Sequence, residues 1–215
     1  IEYTGEAIRS MSMDGRMTIC NMTIEGGGRA GMVAPDETTF DYLHERPQAP
    51  QGEEFENAVE EWSALKTDEG SEFDDLVKID ATSIEPMVSW GTNPSMVIPV
   101  TGRVPDPNLI DSKDDRKAAE IALEYMDLEP GTSIHGIKLD RVFIGSCTNA
   151  RLDDLRSAAK IAKGHRVSND VYAMVVPGST AIKLQAENEG LDSIFKDAGF
   201  DWREAGCSMC LGMNP

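Results

Sequence analysis

Arg141-Val142-Phe143-Ile144-Gly145-Ser146-Cys147-Thr148-Asn149 is the stretch that decides the fold. Its first five residues have an apolar centre and predict a buried strand over 141–145, and the small polar residues after it predict a turn into a helix over 153–163. A second strand is expected over 171–176, ending at Pro177-Gly178, with helices over 181–189, closed by Gly190, and over 191–197. That βαβα order reads as an α/β layered domain with a largely parallel sheet, because parallel neighbours need a crossover and a helix is its usual form.

Upstream, 112–126 predicts a well-marked helix stopped by Pro130-Gly131. The Pro- and Gly-rich stretch 91–107 is the expected domain boundary or crossing. Strands are expected over 73–79 and 84–90. An acidic amphipathic helix is expected over about 53–66, with Phe55, Val59, Trp62 and Leu65 near helical spacing. A further helix over 36–45 opens with acidic residues suited to its N-terminal dipole. A short buried strand is expected over 30–34, a short helix over 4–13, a turn at Asp14-Gly15, and an apolar-periodic segment over 17–25 broken by Gly26-Gly27-Gly28. No internal repeat is present.

The 215 residues carry 20 Lys+Arg against 38 Asp+Glu, a formal net charge of −18. That balance argues against a nucleic-acid or anionic-membrane partner, since either surface needs clustered Lys and Arg, and no basic stripe exists. No apolar run approaches the roughly 18–20 residues of a membrane helix. The chain starts at Ile1 and stops a few residues after paired cysteines, so an internal fragment of a longer chain is expected. A cytoplasmic location is a separate expectation.

The chemistry-bearing residues are few. Of the four cysteines, Cys20, Cys147, Cys207 and Cys210, none sits in a pattern that demands a disulfide framework. Cys147 falls at the carboxyl end of a predicted strand, the edge where ligands gather in open α/β sheets. Cys207 and Cys210 form a CxxC in a glycine-flanked loop, Gly206-Cys207-Ser208-Met209-Cys210, with spacing that lets both sulfurs reach one metal centre. A closed zinc site or electron-transfer cluster normally uses four protein ligands, whereas three thiolates leave a position open for substrate. The alternative is that Cys147 is a buried small residue and the CxxC a redox pair or half a zinc site. Gly26-Gly27-Gly28-Arg29-Ala30-Gly31 matches GxGxxG literally, but it follows a helix-like segment and leads into a predicted strand. A dinucleotide site needs the reverse order, so this run reads as a helix-ending turn. Asn21 and Glu25 are four apart and would share one helix face, which alone reads as an ordinary solvated face. His44, His135 and His165 lack ligand spacing and read as surface residues, and several of the eleven methionines read as core filling.

Taken together, Met17-Thr18-Ile19-Cys20-Asn21-Met22, Ile144-Gly145-Ser146-Cys147-Thr148-Asn149 and Gly206-Cys207-Ser208-Met209-Cys210, in that order and separation, resemble the aconitase family of iron–sulfur hydro-lyases. Ile1-Glu2-Tyr3-Thr4-Gly5, Ala34-Pro35-Asp36-Glu37-Thr38-Thr39 and Val88-Ser89-Trp90-Gly91-Thr92-Asn93-Pro94 are similar to its branch of 3-isopropylmalate dehydratase large subunits. The glycine triplet after Glu25 and His44-Glu45 before Arg46-Pro47 depart from that pattern.

The resemblance implies layered α/β/α domains with mixed, largely parallel sheets. Residues 1–100 would be part of the second such domain, and 101–215 a linker and the first part of the third. It implies that Cys147, Cys207 and Cys210 bind three irons of a [4Fe-4S] cluster, one per full-length subunit, and that Cys20 is not a ligand. Glu25 would sit by the substrate hydroxyl or the water on the open iron, and Asn21 would hydrogen-bond near the cluster. The implied reaction, in leucine biosynthesis, interconverts 2-isopropylmalate and 3-isopropylmalate, both 2-hydroxy dicarboxylic acids, through isopropylmaleate. The proton-abstracting serine would come from a separate small subunit, and further acid–base groups and substrate-binding arginines would lie outside residues 1–215, leaving this fragment inactive alone. Alternatives are another hydro-lyase of the family, a homoaconitase or methylmalate-type dehydratase, or a non-enzymatic iron–sulfur or zinc-binding module.

Overall fold

The computed structural model describes residues 1–44 and 46–213. In chain order the elements begin with four helices, α1 (Glu6–Arg9), α2 (Met13–Met22), α3 (Glu37–Leu43) and α4 (Glu53–Ser63). The strands β1 (Met87–Ser89) and β2 (Val97–Pro99) and the helix α5 (Lys113–Met126) follow. The last third runs β3 (Arg141–Gly145), α6 (Leu152–Ala162), β4 (Tyr172–Val176), α7 (Thr180–Asn188), α8 (Leu191–Ala198) and β5 (Asp201–Trp202).

The C-terminal third is the α/β layer that its sequence predicts. β3, β4 and β5 form a parallel sheet in that order, with Arg141 opposite Tyr172, Gly145 opposite Val176, and Val175 opposite Trp202. Leu155, Ala159 and Ala162 of α6 pack with Val175 of β4, Ala186 of α7, and Leu191, Phe195 and Ala198 of α8 into one apolar cluster. Phe195 stacks on Trp202 at 5.9 Å and meets Phe200 edge-on at 5.6 Å. Side chains alternate along a strand, so Met174 and Val176 point away from that cluster; at 0 % and 2 % exposure they show that β4 is covered on both faces. The two-residue β5 is too short to leave a periodic signal in the sequence.

A second cluster joins Trp90, Val104, Ala119, Ala122 and Leu123, so the antiparallel β1–β2 hairpin and the segment after it pack on α5. The stretch 91–107 carries β2 and the core residue Val104. Ser112 caps α5 with its hydroxyl accepting from the Asp115 N–H, as expected of Ser before a helical run.

The N-terminal third departs more from expectation. Helix α1 is only one turn long, and Asp14-Gly15 is not a turn between helices but the start of α2, because the Ser12 hydroxyl accepts from the Gly15 N–H and caps that helix. Helix α2 stops at Met22, so Glu25 lies in the following turn and does not share a helix face with Asn21. The stop has a local cause. The Thr23 hydroxyl donates back to the Ile19 carbonyl and pairs with the Tyr3 hydroxyl, the Gly28 N–H bonds the Thr23 carbonyl, and the glycine triplet cannot hold a helix. In place of a buried strand over 30–34 there is a single bridge, Glu2 to Met32, with Met32 exposed. Gly31 passes so near α2 that a Cβ there would fall 2.8 Å from the Cys20 Cα, which makes the glycine run a packing feature. The expected strand over 73–79 has no regular structure and is exposed, because among the described residues no neighbour pairs its backbone; over 84–90 only β1 forms. Helix α3 opens at its cap Asp36, whose carboxylate accepts from the Thr38 N–H, and Glu45, the expected end of that helix, lies outside the described residues.

Candidate metal centre

In a parallel sheet every carboxyl end lies on the same edge, so the residues after β3, β4 and β5 are gathered there. Cys147 follows β3, Pro177-Gly178 follows β4, and Cys207 and Cys210 follow β5. Gly178 donates its N–H to the Ala150 carbonyl at 2.9 Å. A Cβ on Gly178 would stand 3.0 Å from that oxygen and 3.1 Å from the Ser146 carbonyl, so the first two loops meet backbone to backbone.

The third loop reaches over them. β3 and β5 are two strand spacings apart, roughly 10 Å, yet the Ser146 hydroxyl and the Cys210 Sγ lie 3.4 Å from each other. Ser146 is buried at 6 % exposure, while Cys147, Cys207 and Cys210 are all exposed. The Cys210 thiol is held below its ordinary pKa, chiefly by the Ser146 hydroxyl and then by the backbone around Ser208, against a smaller opposing effect of burial. Upstream of the CxxC, Lys183 of α7 forms an ion pair with Glu204 at 2.5 Å and ties down the segment that leaves β5.

Helix α2 docks on the Cys147 loop from the other side. The Asn21 Nδ2 donates to the Thr148 Oγ1 at 2.7 Å, and the Thr18 hydroxyl donates to the Thr148 carbonyl at 3.4 Å. The Arg151 guanidinium donates to the Asp14 carbonyl, the Thr18 hydroxyl and the Thr148 carbonyl. At its far side, the 3 %-exposed Arg16 anchors α2 to Asp36 through two bonds of 2.6 and 2.8 Å.

The structure thus joins Asn21, Cys147 and Cys210 through Thr148 and Ser146. Cys207 is exposed two residues before the turn at Met209–Leu211, and Glu25 is exposed in the turn after α2; among the described residues neither hydrogen-bonds to the Cys147 loop. Burial pushes up the thiol pKa of Cys20, which lies within α2, and His44, His135 and His165 are exposed as expected. The reading of Cys147 as a buried small residue is overturned by its exposure. Ser146, Thr18, Thr148 and Arg151 were not singled out from the sequence. Ser and Thr flanking Cys147 are its only hint there, and the partners 130 residues upstream leave no sequence signal.

Among the described residues, no three Cys, His, Asp or Glu side chains converge on one metal-ion position. A single tetrahedral ion demands such convergence, whereas cluster ligands each bind a different iron and stand further apart. Three soft thiol donors on adjoining loops, one of them shifted toward its thiolate, have the chemistry of an iron–sulfur site.

The whole chain, residues 1–215, matches the Aconitase family (aconitate hydratase), and the chain belongs to that family. Its members are hydro-lyases that typically carry a [4Fe-4S] cluster. Among the described residues no helix is long and apolar enough to cross a membrane.

Proposed function

We propose that this chain supplies the cluster-binding part of a cytoplasmic 3-isopropylmalate dehydratase, which interconverts 2-isopropylmalate and 3-isopropylmalate through isopropylmaleate in leucine biosynthesis. The observation that supports the reading best is the meeting of Asn21, Cys147 and Cys210 around Ser146 and Thr148, since these residues come from three distant segments. Residues 1–100 then belong to the second layered domain, and 101–215 to a linker and the first part of the third.

Cys147, Cys207 and Cys210 would hold the [4Fe-4S] cluster, which when bound supplies an iron open to substrate as a Lewis acid for the departing hydroxyl. Removing water takes a proton from one carbon and hydroxyl from its neighbour. The Glu25 carboxylate, exposed in its turn, would hold the proton that accompanies the leaving hydroxyl. Asn21, fixed through Thr148, would orient groups beside the cysteines, and Ser146 would hold Cys210 in place. The base for the carbon-bound proton would be a serine of a partner small subunit, so the active unit is a heterodimer or larger.

Anaerobic reconstitution with iron and sulfide, followed by electron paramagnetic resonance after mild oxidation, tests the site. A three-iron signal, lost in Cys147→Ser, Cys207→Ser and Cys210→Ser but kept in Cys20→Ser, is expected. A signal that survives any of the first three changes would refute the ligand set. With the partner subunit and the remaining segments restored, turnover of homocitrate or a methylmalate in preference to 2-isopropylmalate would refute the substrate.

A further inference from the structure

The geometry points to Arg151 as the positioning residue that locks the Asn21 helix onto the Cys147 loop, a role that rests on the site proposed above. Its backbone belongs to the sheet domain: the Arg151 N–H donates to the Asp154 carboxylate at 3.1 Å, its carbonyl accepts from the Leu155 N–H at 3.0 Å, and α6 starts at the next residue. Its side chain belongs to the other side. One nitrogen, Nη1, lies 3.1 Å from the Asp14 carbonyl, 2.9 Å from the Thr18 Oγ1 and 3.0 Å from the Thr148 carbonyl.

Those acceptors sit on two turns of α2 and on the residue next to Cys147, so one charged group triangulates helix against loop. Among the described residues, the side-chain bonds from α2 to the Cys147 loop that remain without it are the 2.7 Å contact from Asn21 and the 3.4 Å contact from Thr18, both made to Thr148. Arg151 therefore fixes the residue that Asn21 must meet and also the helix that carries Asn21.

Charge adds to the same effect. Asp14 lies at the start of α2, Asp153 and Asp154 in the first turn of α6, and their carboxylates crowd the junction. Burial first and then Asp153 push the Asp14 carboxyl up, Arg151 pulls it down by more than Asp154 raises it, and the Asp153 backbone N–H adds a smaller downward pull. Without a cation at 151, these acidic helix starts repel one another across the seam that holds the site together.

Because all three side-chain bonds leave one nitrogen, a lysine ammonium, which carries three hydrogens at a single point, is a fair substitute here, whereas methionine removes donors and charge but keeps the bulk. Hydrogen exchange on the metal-free chain is therefore compared for wild type, Arg151→Met and Arg151→Lys. In Arg151→Met, amides of residues 17–22 and 148–150 are expected to exchange about tenfold faster, those of β4 and α8 to stay unchanged, and Arg151→Lys to restore most of the protection. Unchanged exchange over 17–22, equal acceleration in β4 and α8, or no rescue by lysine would each overturn the assignment. In the reconstituted chain, the g-values of the three-iron signal should shift in Arg151→Met and return in Arg151→Lys. A wild-type chain that takes up no cluster while exchange follows the expected pattern would refute the cluster reading and leave the Arg151 assignment standing.

Discussion

Replacing Arg16 by methionine tests how α2 is anchored on the side away from the cysteines. Arg16 is 3 % exposed and its partner Asp36 19 %. The guanidinium donates to both Asp36 oxygens at 2.6 and 2.8 Å, to the Arg9 carbonyl at 2.7 Å and to the Met11 carbonyl at 3.1 Å. Methionine fills much of the space but leaves two carbonyls and a half-buried carboxylate without that donor. Breaking a buried pair from one side costs about 3–5 kcal/mol. The partial exposure of Asp36 places Arg16→Met near the lower end, about 3 kcal/mol at pH 7, a large share of the roughly 5–15 kcal/mol that holds a domain folded. The cost also depends on pH with a defined sign. The Arg16 guanidinium holds the Asp36 carboxyl below its ordinary value, so the pair contributes fully above the unfolded pKa of about 4 and fades as pH falls through the folded one. Urea titrations followed by circular dichroism at pH 7 and near pH 3 measure both. A cost under about 1 kcal/mol at pH 7, or one that does not shrink in acid, would refute the reasoning.

Ser146→Ala removes the main group that lowers the Cys210 thiol pKa, so the thiolate fraction near neutral pH should fall and alkylation of Cys210 in the metal-free chain should slow. A pH–rate profile resolved by peptide mass spectrometry reads this directly; an unmoved profile at Cys210 would remove Ser146 from the site. Phe195→Ala empties a position of 0 % exposure between Phe200 and Trp202 and should cost about 3–5 kcal/mol. Loss of stability by denaturant titration, with Trp202 emission shifting to the red, is the expected result, and a loss below about 1 kcal/mol would mean that this cluster is not the core of the layer.

How much of this was legible in the sequence depended on where the partners of each segment lie. The βαβα run from Arg141 to Trp202 could be read because each element carries its own pattern: apolar strands of five residues, helices with one apolar face, and Gly or Pro between them. The resemblance carried by the order of three motifs pointed to Cys147, Cys207, Cys210 and Asn21, whereas spacing alone placed Asn21 on an ordinary solvated face. Elements that need a neighbour could not be read this way. The segment 73–79 has strand composition but no pairing partner among the described residues, and α2 ends early because Thr23 bonds to Ile19 and Tyr3 and glycines follow. The contacts that join the site, Ser146 with Cys210 and Arg151 with Asp14 and Thr18, span 64, 137 and 133 residues. Local sequence determines which residues have the right chemistry and which strand ends present them. Only the tertiary structure decides that a serine hydroxyl meets one thiol and a single guanidinium spans helix and loop, because hydrogen bonds depend on distances of a few ångströms that no sequence spacing records.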